Sequence, residues 1–300
     1  MRVLLTGASS FTGCWFACEL SAAGHEVTVT HRAASYDGVR GERVARVAEQ
    51  CRTVHGVAFG DDAFVDLVRG GGFDLLCVHG ARVAGYRDPA FDVAAALAEN
   101  THRAADVVPH VPRVLVTASV FEPGAGEGDA TLEAFSPYGL SKAFTAETFR
   151  YLCGRHGASF GRFVIPNPFG PMEDARFTAS LVAAWRRGET PQVRTPDYVR
   201  DNIHVTLLAR AYADFAGRLP EGGWMGTLGP SGYREPQGAF AQRFAAEMGA
   251  RLGMATPLEL LEQTDWSEPA VRLNTDVVDA DALGWDEAVA WDELAVWYSA

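Results

Sequence analysis

Short, largely apolar runs alternate along the first half of the chain with stretches in which apolar residues recur every three or four positions. The runs are RVLLT at 2–6, HEVTVTHR at 25–32, RTVHGVAF at 52–59, FDLLCVHGA at 73–81, PRVLVTAS at 112–119 and ASFGRFVIP at 158–166. Runs of this length and character fit strands covered on both faces. Between them the pattern predicts a helix from Phe11 that stops at Gly24, and further helices at roughly 41–50, 61–69 and 90–108 and over Pro137–His156. Strand and helix in strict alternation predict an α/β fold: a parallel sheet with helices on both faces, spanning residues 1–166.

The regularity fades after Pro166. NPFGPMEDARF, TPDYVRDNIHV and TLGPSGYREPQ read as loops and short elements, and DELAVWYS as a closing packed helix. Residues 167–300 are expected to form mainly a smaller substrate-binding lobe over the carboxyl edge of the sheet, with some segments returning to the first domain. The stretch EPGAGEGDATLEAFSP at 122–137, rich in Gly and Glu, reads as a loop.

Composition narrows the partners. A formal net charge of −12 over 300 residues argues against nucleic acid and against an anionic membrane surface. A local basic cleft for an anionic small molecule stays compatible with it. Of the five cysteines, Cys14 and Cys18 are four apart, but neither a second pair nor a spaced histidine follows, so buried thiols and no metal site are expected. MRVLL reads as a strand rather than a leader, and no run reaches membrane-spanning length, so the expected setting is cytoplasmic.

Candidate chemistry begins at LLTGASSFTGCWF. Strand, glycine turn and helix follow one another, with Gly7 for the tight turn and Gly13 for close helix packing. Ser10 stands where a third evenly spaced glycine would fall. Amides at Ser9, Ser10, Phe11 and Thr12 would face a pyrophosphate at the helix start. That context predicts a Rossmann-type, doubly wound sheet. At the end of the second strand an acidic residue would grip the ribose diol of NAD. His31 and Arg32 stand there instead and favour the 2′-phosphate of NADP, with NAD possible. In SPYGLSKAFTAE, Tyr138 and Lys142 share a helix face one turn apart. The ammonium favours the phenolate, so Tyr138 can exchange a proton with a carbonyl or alcohol oxygen. Thr117 and Ser119, at the end of the fifth strand, offer a hydroxyl to the same substrate oxygen.

With these residues the chain resembles the extended branch of the short-chain dehydrogenase/reductase superfamily, which contains nucleotide-sugar epimerases, dehydratases and 4-ketoreductases. The resemblance runs over essentially the whole chain, through TGASSFTG, VHGA, TASVF, the Tyr138–Lys142 pair, NPFGP and YVRDNIHV. It implies Thr117 as the hydroxyl of the catalytic set, with Ser119 a nearby alternate, and His79, Gly80, Ala81 and Ile165 beside the cofactor. It implies Ser119, Phe121, Asn167 and Phe169 near the substrate, and Arg200 on the diphosphate of a nucleotide sugar. It also implies a homodimer through the helices near 90–108 and 137–156. Where the branch shows an asparagine followed by a glycine–threonine pair, this chain has Leu97 and then Asn100 and Thr101. Dehydratases carry an Asp–Glu pair right after the catalytic threonine. Here Ala118 and Ser119 follow, which argues against dehydration.

The first functional expectation is an NADPH-dependent reductase of a nucleotide-linked keto sugar of the 4-keto-6-deoxyhexose type, with Tyr138 as proton donor and Lys142 holding the nicotinamide ribose. The alternatives are a nucleotide-sugar epimerase with tightly bound NAD(P) and a non-catalytic, cofactor-binding regulator.

Overall fold

The structure, a computed structural model, describes residues 1–128 and 136–299. The loop expected at 122–137 therefore lies partly outside the described residues. Two compact units are present. The first holds Met1–Ala125, the described residues within Glu133–Ile165, and Ala209–Gly229. The second holds the described residues within Gly126–Leu132, Pro166–Leu208 and Pro230–Ala300.

Seven strands form the sheet of the first unit: β1 (Arg2–Thr6), β2 (Glu26–His31), β3 (Arg52–His55), β4 (Leu75–Val78), β5 (Arg113–Ser119), β6 (Ser159–Ile165) and β7 (Met225–Leu228). Their order is β7-β6-β5-β4-β1-β2-β3, and each pairing is parallel. The chain winds outward from β1 to β3, then returns to place β4 on the other side of β1. The order thus reverses between β1 and β4, where Leu4 pairs with Leu76 and Leu5 with Cys77. In open α/β sheets ligands bind at the carboxyl ends of strands that flank such a reversal.

The helices α1 (Phe11–Ala22), α2 (Gly38–Ala48), α3 (Asp62–Gly71), α4 (Val93–Asn100), α5 (Ala104–Val107) and α6 (Pro137–His156) belong to this unit, as does most of the helix Val205–Arg218, which carries Tyr212. Alternate strand residues feed two cores. Leu4, Leu76, Val114 and Phe160 pack with Phe64 of α3, Val107 of α5 and Phe149 of α6 on one face. On the other, Phe16 of α1 stacks on Tyr212 at 3.9 Å and meets Phe163 of β6 edge-on at 5.8 Å.

Two elements differ from the sequence expectation. The apolar stretch at 90–108 is not one helix. Thr101 turns its hydroxyl back onto the Leu97 carbonyl at 2.7 Å, and Arg103 sits in the left-handed region at φ 51°. Arg103 is held there by Asp62 at 2.6 Å and Asp106 at 2.9 Å, partners that the apolar period does not reveal. Strand β7 runs into TLGPSGYREPQ, the stretch expected to form loops and short elements. Its alternation is too short and polar to register, and pairing with β6, from Met225↔Phe160 to Leu228↔Phe163, makes it an edge strand.

In the second unit, Val199–His204 is the central strand. It pairs antiparallel with Tyr233–Pro236 and parallel with Val271–Leu273 and Asn167–Phe169. The core of this unit is aromatic, built from Phe169, Trp185, Phe240, Phe244, Trp291 and Tyr298. All five cysteines are free and buried. Among the described residues no helix is long and apolar enough to cross a membrane, and no group of three His, Cys, Asp or Glu side chains is placed to hold a metal.

Candidate active site

The turn after β1 is built around two backbones that nearly touch. Gly7 has φ 78°, and a β-carbon on it would lie 2.6 Å from the Gly80 amide nitrogen beyond β4. A β-carbon on Gly13 would lie 2.3 Å from the Gly7 carbonyl oxygen. Glycine is required at both places, at Gly7 by conformation and contact and at Gly13 by contact alone. The Thr6 hydroxyl accepts the amides of His79 at 3.1 Å and Gly80 at 3.0 Å, which locks the ends of β1 and β4 together.

Ser10 does more than replace a glycine. It caps α1, accepting the Gly13 amide at 3.1 Å, and donates its own proton to the Gly7 carbonyl at 2.8 Å. Its hydroxyl also meets His79 Nε2 at 2.9 Å. With the Ser10 proton on the Gly7 carbonyl, Nε2 is the protonated nitrogen of the ring. Nδ1 is then an acceptor, and the Thr117 hydroxyl donates to it at 3.0 Å. Thr12 Oγ1 stands 3.1 Å from Nε2. Desolvation, with the Lys142 charge adding to it, pushes His79 down to about 3, so the ring is neutral at physiological pH. With Gly13 capped, the amides of Phe11 and Thr12 are the helix-start donors left for an anion. The glycine cradle, the open amides and the strand reversal together fit a dinucleotide. Ser9, Ala81 and Ile165 line the same strand ends and are half-buried.

The end of β2 differs from the expectation at one residue. His31 is buried, stacked on His55 at 5.0 Å and edge-on to Tyr36 at 5.9 Å. Burial, with His55 adding to it, pushes it down to about 4, so it brings no charge to a phosphate. Arg32 is exposed and pairs with Glu99 of α4 at 2.5 Å, and Arg82 approaches the other Glu99 oxygen at 3.9 Å.

Tyr138 and Lys142 lie one turn apart on α6, whose first turn is capped by Ser136 and opened by Pro137. Lys142 is only 4% exposed, and burial pushes its ammonium below the ordinary lysine range. Tyr86 and Phe91 meet the Tyr138 ring edge-on at 5.6 and 6.0 Å. They come from a segment whose turns carry no periodic signal. Asn100, which departs from the family pattern in sequence, has a structural task. Its buried side chain accepts the Arg82 amide at 2.8 Å and donates to Thr145 of α6 at 3.2 Å, which ties the post-β4 loop to the tyrosine helix. The sequence carries a further signal: Lys142 is the only lysine among 26 lysines and arginines. Arginine serves at every other basic position, and an ammonium stands only here. A guanidinium is bulkier and does not lose its proton in a protein.

Thr117 and Ser119 share a face of β5. Thr117 is buried and its hydroxyl lies 3.0 Å from His79 Nδ1. Ser119 is half-buried and accepts the Phe121 amide at 3.2 Å. Among the described residues its own proton has no acceptor. Phe121 packs half-buried beside Val120 and Val164.

The other three candidates belong to the second unit. Asn167 donates to the Asp201 carbonyl at 3.2 Å. The Phe169 ring lies in the aromatic core, not on an open wall, because its neighbours Phe240 and Trp291 enclose it at 5.1 and 5.3 Å. Arg200 donates to the carbonyls of Val199 and Ala270 at 3.0 and 3.2 Å, pairs with Glu268 at 3.0 Å and stacks on Tyr198 at 4.2 Å.

The sequence profile of the NAD dependent epimerase/dehydratase family matches residues 3–222. No functionally curated protein is detectably similar in sequence. Among solved structures, MoeE5 in complex with UDP-glucose and NAD superposes with a TM-score of 0.72 at 21% identity, over 100% of this chain and 99% of that one. A Tyr-to-Phe variant of UDP-glucuronic acid 4-epimerase from Bacillus cereus, in complex with UDP-4-deoxy-4-fluoro-glucuronic acid and NAD, gives 0.77 at 14% identity over 100% and 98%. UDP-glucose 4-epimerase from Thermotoga maritima with UDP-glucose gives 0.73 at 16% identity over 100% and 99%.

Proposed function

Because the chain belongs to the NAD-dependent epimerase/dehydratase family, we propose that it is an epimerase of nucleoside-diphosphate sugars that keeps its nicotinamide cofactor through the catalytic cycle. The observation that carries this reading is the pairing of Tyr138 with the chain's single, buried lysine on a helix tied to the loop beyond β4. The ligands named for the similar structures support the substrate class, and two of those structures are 4-epimerases.

A bound nicotinamide dinucleotide supplies a hydride acceptor and donor. The chain does the proton work. Tyr138 takes the proton of a sugar hydroxyl as its carbon is oxidised, and returns a proton to the carbonyl oxygen when that carbon is reduced from the opposite face. Lys142 stabilises the phenolate between these events. Ser119 donates a hydrogen bond to the same oxygen, while Thr117 holds His79 in the tautomer that braces the glycine turn. Ala118 and Ser119 offer no carboxyl pair for dehydration. Arg200 remains the candidate for the diphosphate, and takes it by exchanging Glu268 for a phosphate oxygen. Phe144 and Tyr151, both exposed on α6, suit a homodimer through this helix.

Arg32 favours a second reading, the NADPH-dependent keto-sugar reductase, since its exposed guanidinium sits at the end of β2 where a 2′-phosphate would lie. One experiment separates the two. The purified protein is denatured and its released cofactor identified by mass spectrometry, then native protein is incubated with UDP-hexoses without added cofactor. Retained NAD and a C4-epimer product support the epimerase. An empty protein that consumes NADPH with a keto sugar, and makes no epimer, supports the reductase.

A further inference from the structure

Glu122 is a carboxylate with no exposed surface in a stretch that reads, by composition, as solvated loop. One oxygen accepts the Ser119 amide at 2.8 Å, and the other takes Arg162 of β6 at 2.6 Å. Its own amide donates back to the Ser119 carbonyl at 3.0 Å, closing a turn at the end of β5. The preceding residue, Phe121, abuts the tyrosine helix: a β-carbon on Gly139 would lie 2.1 Å from the Phe121 carbonyl oxygen. The turn that Glu122 closes is therefore in contact with the residue next to Tyr138.

A carboxylate buried this completely costs several kcal/mol in desolvation, and a structural turn can be closed without one. We propose that Glu122 is a positioning residue for the reacting centre: anchored by Arg162 and the Ser119 amide, it seats the end of β5 against the first turn of α6 and supplies the counter-charge of the Lys142 ammonium. The groups around that ammonium divide cleanly. Tyr138 shares its helix, and His79, at the end of β4, is neutral. Glu122 is the carboxylate whose charge reaches Lys142 among the described residues, and it opposes the effect of burial. Arg162 of β6 is the ion-pair partner of Glu122. The phenolate of Tyr138 depends on a charged lysine, so a buried ammonium without this anion would lose the property for which it is placed.

The proposal rests on Tyr138 and Lys142 being the reacting pair, but its test needs neither substrate nor cofactor. Since Lys142 is the only lysine, full-length protein free of added residues and grown with lysine labelled at the ε-carbon gives one side-chain resonance. That resonance is followed against pH in the wild type, Glu122→Gln, Glu122→Asp and the double variant Glu122→Gln/Arg162→Met, which removes both charges of the pair should the single variant fail to fold. The expected result is a midpoint about 1 pH unit lower in Glu122→Gln, a smaller fall in the double variant, which also loses the Arg162 cation, and most of the shift recovered in Glu122→Asp. A midpoint unmoved in the folded variants, or loss of fold in both, overturns the proposal. Turnover measured separately reports on the epimerase reading, so the two can fail independently.

Discussion

The buried Thr117 hydroxyl lies 3.0 Å from His79 Nδ1, while the hydroxyl of Ser119, two residues on, is half-buried and has no acceptor for its proton among the described residues. The two residues should separate on mutation. Ser119→Ala is expected to lower kcat by roughly 10²-fold with the fold and the cofactor affinity intact. Thr117→Val leaves His79 Nδ1 without its donor and should cost about 1–3 kcal/mol of stability, with weaker cofactor binding. Steady-state kinetics and urea melts check both. A stable Thr117→Val protein that has lost turnover, beside an unaffected Ser119→Ala, would reverse the assignment.

Tyr138→Phe removes the proton carrier and leaves the ring between Tyr86 and Phe91. Epimer formation should fall by roughly 10³-fold or more while the dissociation constant for NAD changes little. Cofactor titration beside a product assay measures the two effects, and residual activity near wild type would remove Tyr138 from the mechanism.

Arg32 and Glu99 form an exposed pair, so a 2′-phosphate must compete with a carboxylate for one guanidinium. Arg32→Ala should weaken NADPH by roughly tenfold and NADH far less. Glu99→Gln should tighten NADPH by about threefold and leave NADH unchanged. Paired titrations of both cofactors decide it; equal losses in Arg32→Ala would detach this corner from the 2′-phosphate.

His31 is buried, and neither ring nitrogen has a hydrogen-bond partner among the described residues. Its folded-state pKa, pushed down to about 4, lies below that of an unfolded histidine. Between these values the unfolded chain binds the extra proton, so stability rises with pH through this window and is lost on acidification. At pH 5 the loss amounts to about 2 kcal/mol for such a histidine. His31→Phe should keep the stacking on His55 and shrink the fall in stability between pH 7 and pH 5. Urea unfolding of both proteins at the two pH values checks it, and parallel slopes would show that His31 is not the titrating group.

Gly139 sits against the Phe121 carbonyl, and that contact seats the first turn of α6. Gly139→Ala should destabilise by about 1–3 kcal/mol despite alanine's better helix propensity, because the added methyl has backbone in front of it. Activity should fall with it. A variant at least as stable as wild type would show that the turn can move away without cost.

Much of this was legible in the chain, for reasons that are local. The alternation of apolar runs with helical periods fixed the parallel sheet, since strands covered on both faces must be apolar throughout. The glycines at 7 and 13 and the Tyr138–Lys142 spacing marked the site, because a left-handed turn, a close backbone approach and a shared helix face are each set by a few neighbouring residues. What the tertiary structure alone decided is where each polar group spends its bonds. Thr117 and Ser119 are alike in sequence and were separated by His79, which arrives from another strand. Arg32 reads as free until Glu99 comes to it from α4, and Arg200 until Glu268 does so across 68 positions. Glu122 reads as a solvated loop charge, and the meeting of β5, β6 and α6 buries it. Hydrogen bonds and ion pairs act over about 3 Å whatever the distance along the chain, so periodicity determines the scaffold and only the folded contacts determine which side chains are left to react.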